Sequence, residues 1–317
     1  MRAVALRTMG DTPELMDLPT PTPGAGEFLI KLAAASVNPF DAGIAQGFFV
    51  GSRPHIYPLV LGVDGAGTVV AVGEGVRGVE PGDVLHGQFV RSPIGHGTFA
   101  EFVLAAQSPD DGAFQRVPDG MSAEVAAALP TAGMTAVGAL DMIDAQAGQS
   151  LLIVGATGGV GALLVQLAAA RGMEVIATAR PDADEWIRSL GAAETVDYSN
   201  VDIVEQVRKA HPDGIDALID TTRAQDAFTE RATLVRDGGA ANSVTLVAPP
   251  ELLASERIRV TNYVMRDKPG LLARAAAEVA AGRITVPIHR IVTLEELPDA
   301  LPQVLGGGAR GKTTVRI

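Results

Sequence analysis

The chain contains no cysteine. That excludes disulfides, thiolate nucleophiles and zinc–thiolate sites, and it leaves thiol chemistry silent on the redox compartment. Aromatic residues are scarce, at 4% of 317 residues, so the core must be built from Ala, Val, Leu and Ile. Positive charge is in short supply as well. Against 37 Asp and Glu stand 25 Lys and Arg, for a formal net charge of −12. Such a balance argues against nucleic-acid and anionic-membrane partners while leaving room for a local basic pocket. No apolar run reaches the roughly 18 to 20 residues of a spanning helix. The opening MRAVALRTMG lacks the apolar core of a signal peptide, so the cytoplasm is the expected location.

The length allows two domains. Up to about residue 120 the chain is rich in Gly, Pro and short apolar runs. EFLIKLAAASV, GAGTVVAVG, DVLHGQF and TFAEFVLA read as strands of a partly closed β-barrel. From Ser122, an N-cap candidate, SAEVAAALPTAGMTAVGALDMI predicts two helices with a bend at Pro130 and Gly133. Strands and helices then alternate. SLLIVGA, EVIATA, TVDY, IDALIDTT and AANSVTLV are predicted strands, and QDAFTERATLVRDGG is predicted helical throughout. Alternation at this spacing implies parallel βαβ units with helices on both faces. RIRVTNYVM predicts one more strand, at the sheet edge. PGLLARAAAEVAAGR and TLEELPDALPQVL predict helices, and KTTVRI a last strand.

One junction carries chemistry. Between the strand SLLIV and a following apolar helix lie Ala156, Thr157, Gly158, Gly159, Val160 and Gly161. This is G-x-G-x-x-G with Ala in the first position, where a helix N-terminus and close backbone approach hold a pyrophosphate. The next strand, EVIATARPD, ends in Ala179 and Arg180, where an NAD site carries an acid for the ribose 2′-OH. Arginine there suits a 2′-phosphate, so NADPH is the expected cofactor. The competing reading puts Asp182 or Asp184 on the ribose. Tyr198, one strand further on, would cover the adenosine phosphate.

Taken together, SVNPFD from Ser36, YPLVLGVDGAGTVVAVGEGV from Tyr57, PGDVL from Pro81, GTFAEFV, LPTAGMTA, GATGGVG and the terminal GGGARGKTTVRI resemble the medium-chain dehydrogenase/reductase superfamily. Within it the chain is most similar to the zinc-free quinone oxidoreductases of the zeta-crystallin type. The resemblance implies an α/β fold of two parts. A GroES-like partly closed barrel would take residues 1–122 and 267–317, and a Rossmann doubly wound parallel sheet residues 123–266. The zinc enzymes place a metal-binding cysteine about where Asn38 stands, and their GHE falls on Gly62-Val63-Asp64. No metal site is therefore expected. The five histidines, His55, His86, His96, His211 and His289, show no ligand spacing and are expected on the surface or in loops.

The resemblance further implies hydride transfer from NADPH to a quinone or an α,β-unsaturated carbonyl. An enoyl-thioester or alkenal reductase and a non-catalytic NADPH-binding protein remain open. Asn38 would donate to the acceptor carbonyl or orient the ribose, and Thr131 would line the nicotinamide pocket. Asp41 and Asp64 are expected to hold barrel loops together. Phe48 and Phe49 occupy positions where related reductases carry tyrosine, and Tyr57 is expected to pack. Asn242, Ser243 and Val244 would approach the nicotinamide ribose and carboxamide, and Lys312 the cofactor phosphates. A homodimer through the Rossmann edge strand is the expected assembly.

Overall fold

A computed structural model describes residues 1–108, 112–306 and 308–317. The N-terminal part contains β1 (Arg2–Leu6), β2 (Glu14–Asp17), β3 (Glu27–Ser36), α1 (Pro39–Ala45), β4 (Leu59–Val60), β5 (Asp64–Val72), β6 (Val84–Gln88), β7 (Phe102–Ala106) and β8 (Ala113–Arg116). Two helices follow, α2 (Ala123–Ala128) and α3 (Pro130–Ile143). The alternating part comprises β9 (Ser150–Val154), α4 (Gly159–Ala170), β10 (Glu174–Thr178), α5 (Asp184–Ser189), β11 (Glu194–Val196), α6 (Ile203–Ala210), β12 (Ile215–Asp220), α7 (Gln225–Ala232), β13 (Val235–Ser243), α8 (Pro250–Leu253) and β14 (Arg259–Asn262). The chain ends with α9 (Lys268–Ala280), β15 (Ile288–Thr293), α10 (Leu297–Leu305) and β16 (Lys312–Arg316).

The architecture is α/β in two parts. Strands β9 to β14 form a parallel sheet in the order β11-β10-β9-β12-β13-β14. Its residues alternate between two cores. Leu151 and Ile153 face α3, α4 and α9, whereas Leu152 and Val154 face α6 and α7. A parallel sheet covered on both faces needs apolar residues at every position of its central strands, and SLLIV supplies them. The strand order reverses between β9 and β12, which opens a crevice at their C-terminal ends.

The second large sheet runs β15-β16-β3-β5-β6-β8, with β7 also pairing with β3. A smaller sheet, β2-β1-β4, lies beside it. The C-terminal strand β16 returns antiparallel to β3, setting Thr314 opposite Ser36. This return places Lys312, from the end of the chain, beside Asn38.

Local signals act as the residues suggest. Ser122 Oγ accepts from Val125 N–H at 3.3 Å, capping α2, and Pro130 opens α3 at its first turn. The helix predicted over QDAFTERATLVRDGG stops at Ala232, and Val235–Ser243 is β13 instead. Gly238, at φ +79°, lies within that strand, where β13 shifts register against β12 between Ile215 and Ala217. A Gly-Gly pair that reads as a helix end is here a strand irregularity. The strand ends at Ser243, so Val244–Val247 leaves the sheet. Strands β1, β2, β4, β8 and β15 and the short helices α1 and α8 are additional to the elements predicted. No helix among the described residues is long and apolar enough to cross a membrane.

Candidate active site

A cleft of 1320 Å³ runs between the two large sheets. Its floor is the turn from β9 into α4. Gly155 sits at φ +75°, and a Cβ there would overlap Thr221 Oγ1. A Cβ on Gly161 would overlap Gly155 O, so this glycine lets α4 pack against the turn. Gly158 is different. Its φ of −72° suits any residue, and a Cβ there would meet only Gly155 O at 3.4 Å. Its open side is therefore the cleft. Gly158 is also the N-cap of the twelve-residue α4 and offers no side-chain cap, so the helix's first N–H groups point to an anion site. These features fit a bound dinucleotide pyrophosphate. Thr157, Gly158, Gly159, Val160 and Gly161 line the cleft, whereas Ala156 is buried beneath it. The loop before β16 is tied to the turn, with Gly311 N–H donating to Thr157 O at 2.9 Å.

At one end of the cleft the Arg180 guanidinium lies over the Tyr198 ring, 5.7 Å from its centroid. Arg180 is exposed and makes no ion pair among the described residues. The two neighbouring acids are engaged elsewhere. Asp182 accepts from Arg310 at 2.5 Å, and Asp184 from Arg188 at 3.0 Å and from Thr195.

The other end holds a buried polar network. Lys312 Nζ donates to Asn38 Oδ1 at 2.5 Å and to Val37 O at 2.9 Å. An ammonium can only donate, so the Asn38 amide must turn its oxygen to Lys312. Its Nδ2 then donates to Asp64 Oδ2 at 3.0 Å and to Ser36 O at 3.3 Å. Asp64 also accepts from Thr131 N–H at 3.0 Å and, on Oδ1, from Thr131 Oγ1 at 2.7 Å. Gln88 Nε2 donates to Thr131 Oγ1 at 2.7 Å, and Lys268 Nζ to Gln88 Oε1 at 2.8 Å. Cations at both ends and a carboxylate in the middle thus set every hydrogen-bond direction. Asp41, on α1, accepts from Asn38 N–H at 2.7 Å.

Burial pushes the Asp41 carboxyl up to about 8, with the Asp64 charge adding to the effect. Burial also raises Asp64, opposed by the Lys312 charge and the hydrogen bonds from Thr131 and Asn38. It lowers Lys312, against the pull of both carboxylates. With more hydrogen bonds on Asp64, Asp41 is the carboxyl that keeps its proton at neutral pH. Asp64 is the one that Lys312 compensates.

Several expected roles change. Thr131 gives its one hydroxyl proton to Asp64, and Asn38 spends both amide protons on Asp64 and Ser36. Neither side chain has a proton left for an acceptor carbonyl. Lys312, expected at the cofactor phosphates, turns its ammonium inward onto Asn38 and Val37 O, where it offsets the buried Asp64 carboxylate. Its stem passes Gly159, where a Cβ would lie 2.5 Å from Lys312 Cδ. Of the three residues at the end of β13, only Val244 lines the cleft. Asn242 is buried and donates to Thr261 Oγ1 on β14, and Ser243 Oγ accepts from Val247 N–H. A strand's alternation sends such side chains into the sheet's own packing. His86, expected on the surface, is fully buried on β6, with Nδ1 to Ala126 O at 2.9 Å and Nε2 to Gln115 Nε2 at 3.2 Å. Burial lowers its pKa, so it is a neutral, satisfied core histidine. Tyr57, expected to pack, is exposed. Gln88 and Lys268 carry no motif, and only the tertiary fold joins them to Thr131. No group of three or more His, Cys, Asp or Glu among the described residues could hold a metal ion.

Comparison with known proteins agrees with this geometry. Residues 24–112 match the alcohol dehydrogenase GroES-like domain, and residues 159–268 match a family described as zinc-binding dehydrogenase. The chain is 30% identical to the chloroplast envelope quinone oxidoreductase homolog of Arabidopsis thaliana, over 95% of this chain and 93% of the relative. It is 29% identical to the mouse protein named NAD(P)H oxidoreductase RTN4IP1, mitochondrial, over 92% and 82% of the two chains. The solved quinone oxidoreductase of Coxiella burnetii superposes with a TM-score of 0.88 at 28% identity, covering 100% and 99%. The chain belongs to the medium-chain dehydrogenase/reductase superfamily, in its zinc-free, quinone-oxidoreductase-like branch. It lacks zinc-binding cysteines despite the zinc in one family description. It is an NAD(P)H-dependent oxidoreductase. The expected cytoplasmic location does not stand, because similar proteins bear mitochondrial and chloroplast names.

Proposed function

We propose that the protein is an NADPH-dependent, zinc-independent reductase of quinones or α,β-unsaturated carbonyl compounds. The observation that carries the cofactor choice is Arg180 on the Tyr198 ring, at a strand end where the acids that would hold a ribose 2′-OH are paired with Arg310 and Arg188. Thr157 to Gly161 and the N-terminus of α4 would hold the pyrophosphate, with Arg180 and Tyr198 at the 2′-phosphate and Val244 toward the nicotinamide. When bound, the reduced nicotinamide supplies the hydride. The chain's own part is to seat the acceptor, keep its carbonyl end in the polar network and supply a proton.

An apolar acceptor is supported by the cleft mouth. Phe40, Phe48 and Phe49 pack edge to face, with centroids 5.0 to 5.9 Å apart. Phe48 is 62% exposed, and Leu246 and Val264 also line the cleft as exposed apolar residues. The reading keeps residues 1–122 and 267–317 as the barrel part and 123–266 as the Rossmann part. Strand β14 lies at the edge of the parallel sheet, where a second copy would pair and close both edges, so the proposed assembly is a homodimer.

The test is kcat/KM with NADPH and NADH, in wild type and Arg180→Ala, with quinones, enones and enoyl-thioesters as acceptors. A charge-assisted contact contributes roughly 1.5 to 3 kcal/mol, so Arg180→Ala should lower the NADPH value about ten- to a hundredfold and spare NADH. An unmoved ratio would remove the support for NADPH. Turnover confined to enoyl-thioesters would reassign the acceptor, and no turnover with any class would leave a binding protein.

A further inference from the structure

Beyond Arg180, four cations among the described residues line the cleft. Arg231 is paired with the buried Asp220 at 2.7 Å, Lys312 is held by Asn38 and Val37 O, and Lys268 is bonded to Gln88. Arg223 differs. It is exposed, three positions past the end of β12, and pairs with no carboxylate among the described residues. Its guanidinium reaches across the cleft to Pro39 O at 3.4 Å, a long bond to a neutral acceptor that leaves the charge uncompensated. In a chain with 37 acids against 25 bases, an arginine without a carboxylate is out of the ordinary. Its place is the crevice where the strand order reverses between β9 and β12, the position at which an open α/β sheet takes its ligands. Pro39 opens α1, and the next residue, Phe40, packs 5.6 Å from the exposed Phe48. Arg223 therefore sets a positive charge beside the apolar mouth of the cleft.

We propose, resting on the reductase reading above, that Arg223 selects acceptors that carry an anionic group, a carboxylate or sulfonate attached to the apolar body that Phe48 receives. An apolar pocket with a few converging polar groups is how a small ligand is oriented. The guanidinium has five N–H donors in a planar fork that matches such an anion, and the bond to Pro39 O spends one of them. Arg180 is set apart from this role by its place at the Tyr198 end.

Two measurements test this. The first needs no turnover: protein saturated with NADP+, so that the phosphate sites are filled, is titrated by calorimetry with naphthalene-2-sulfonate and with 2-naphthol. These share a ring system and differ in charge. The ratio of sulfonate to naphthol affinity should fall at least about fivefold in Arg223→Met, the scale of an exposed ion pair, and further in Arg223→Glu. The second is kcat/KM with NADPH for 1,4-naphthoquinone-2-sulfonate and for 1,4-naphthoquinone. Comparing variant with wild type on each acceptor cancels its intrinsic reactivity, and the sulfonate-to-parent ratio should fall by the same factor. An unmoved ratio in either measurement, or no sulfonate binding by wild type, would overturn the inference, while turnover of the parent quinone keeps the reductase reading. A loss of NADPH affinity of about tenfold in Arg223→Met would overturn it too, by moving Arg223 to the cofactor phosphates. A protein that binds the sulfonate through Arg223 yet reduces no quinone or enone would overturn the reductase reading and leave an anion-binding cleft.

Discussion

At one end of the cleft Asp41, Asp64 and Lys312 are buried among hydrogen-bonded polar groups, while at the other Arg180 lies exposed on the Tyr198 ring. The first group joins β16 to the end of β3 and the start of α1, and α3 to β5, so its energy is spent largely on holding the barrel part together and fastening α3 to it. The second touches little else in the protein and is available to a ligand. The same kinds of charged side chain should therefore fail differently. Substitutions at the buried end should show in unfolding, and those at the exposed end in cofactor selectivity.

The largest effect is expected from Lys312→Met. Removing the cation that compensates the buried Asp64 carboxylate should cost about 3 to 5 kcal/mol, as breaking a buried pair does. Urea unfolding measures it, and a loss below about 1 kcal/mol would mean that protonation of Asp64 absorbs the change. Gly158→Val comes next and reverses the pattern. Its backbone suits valine and its Cβ direction is open, so the unfolding midpoint should hold while NADPH binding falls at least about a hundredfold. Fluorescence titration with NADPH would check it. Gly161→Val should instead destabilise the protein, because its Cβ would overlap Gly155 O.

A smaller effect follows from Asp41. Its folded pKa of about 8 lies above the ordinary carboxylate value, so the folded protein binds this proton more tightly than the unfolded chain. That contribution is fully present below about pH 4 and is lost as the pH rises towards about 8. Wild type should thus lose urea stability between pH 5 and pH 8. Asp41→Asn, which cannot ionise, should lose much less over the same interval, and parallel curves would contradict the assignment. The smallest change is expected of Tyr198→Phe. The ring that Arg180 stacks on is kept, and only a neutral hydroxyl is lost, so NADPH affinity should change by about two- to fivefold.

The glycine turn, the parallel sheet and the edge strand were legible because their causes are local. An all-apolar strand, a glycine cluster and a helix start must adjoin in sequence to make that turn, and they do so over Ser150–Gly161. The bend at Pro130 and the cap at Ser122 were legible for the same reason. Where a local signal had two outcomes it misled. Gly238-Gly239 falls within the predicted helix, whereas pairing with β12 places it in a strand.

By itself the sequence determined the two-part α/β organisation, the absence of thiolate ligands and the position of the glycine turn between β9 and α4, since composition and neighbouring residues suffice for each. The tertiary structure alone decided what Asn38, Thr131 and Lys312 do. Their partners lie far away in the chain: Thr131 is bound to Asp64, 67 positions earlier, and Lys312 to Asn38, 274 positions earlier. A side chain's chemistry is set by which of its protons and lone pairs are already spent. That count is made across the fold, where β16 closes on β3 and Lys268 on α9 meets Gln88 at the end of β6.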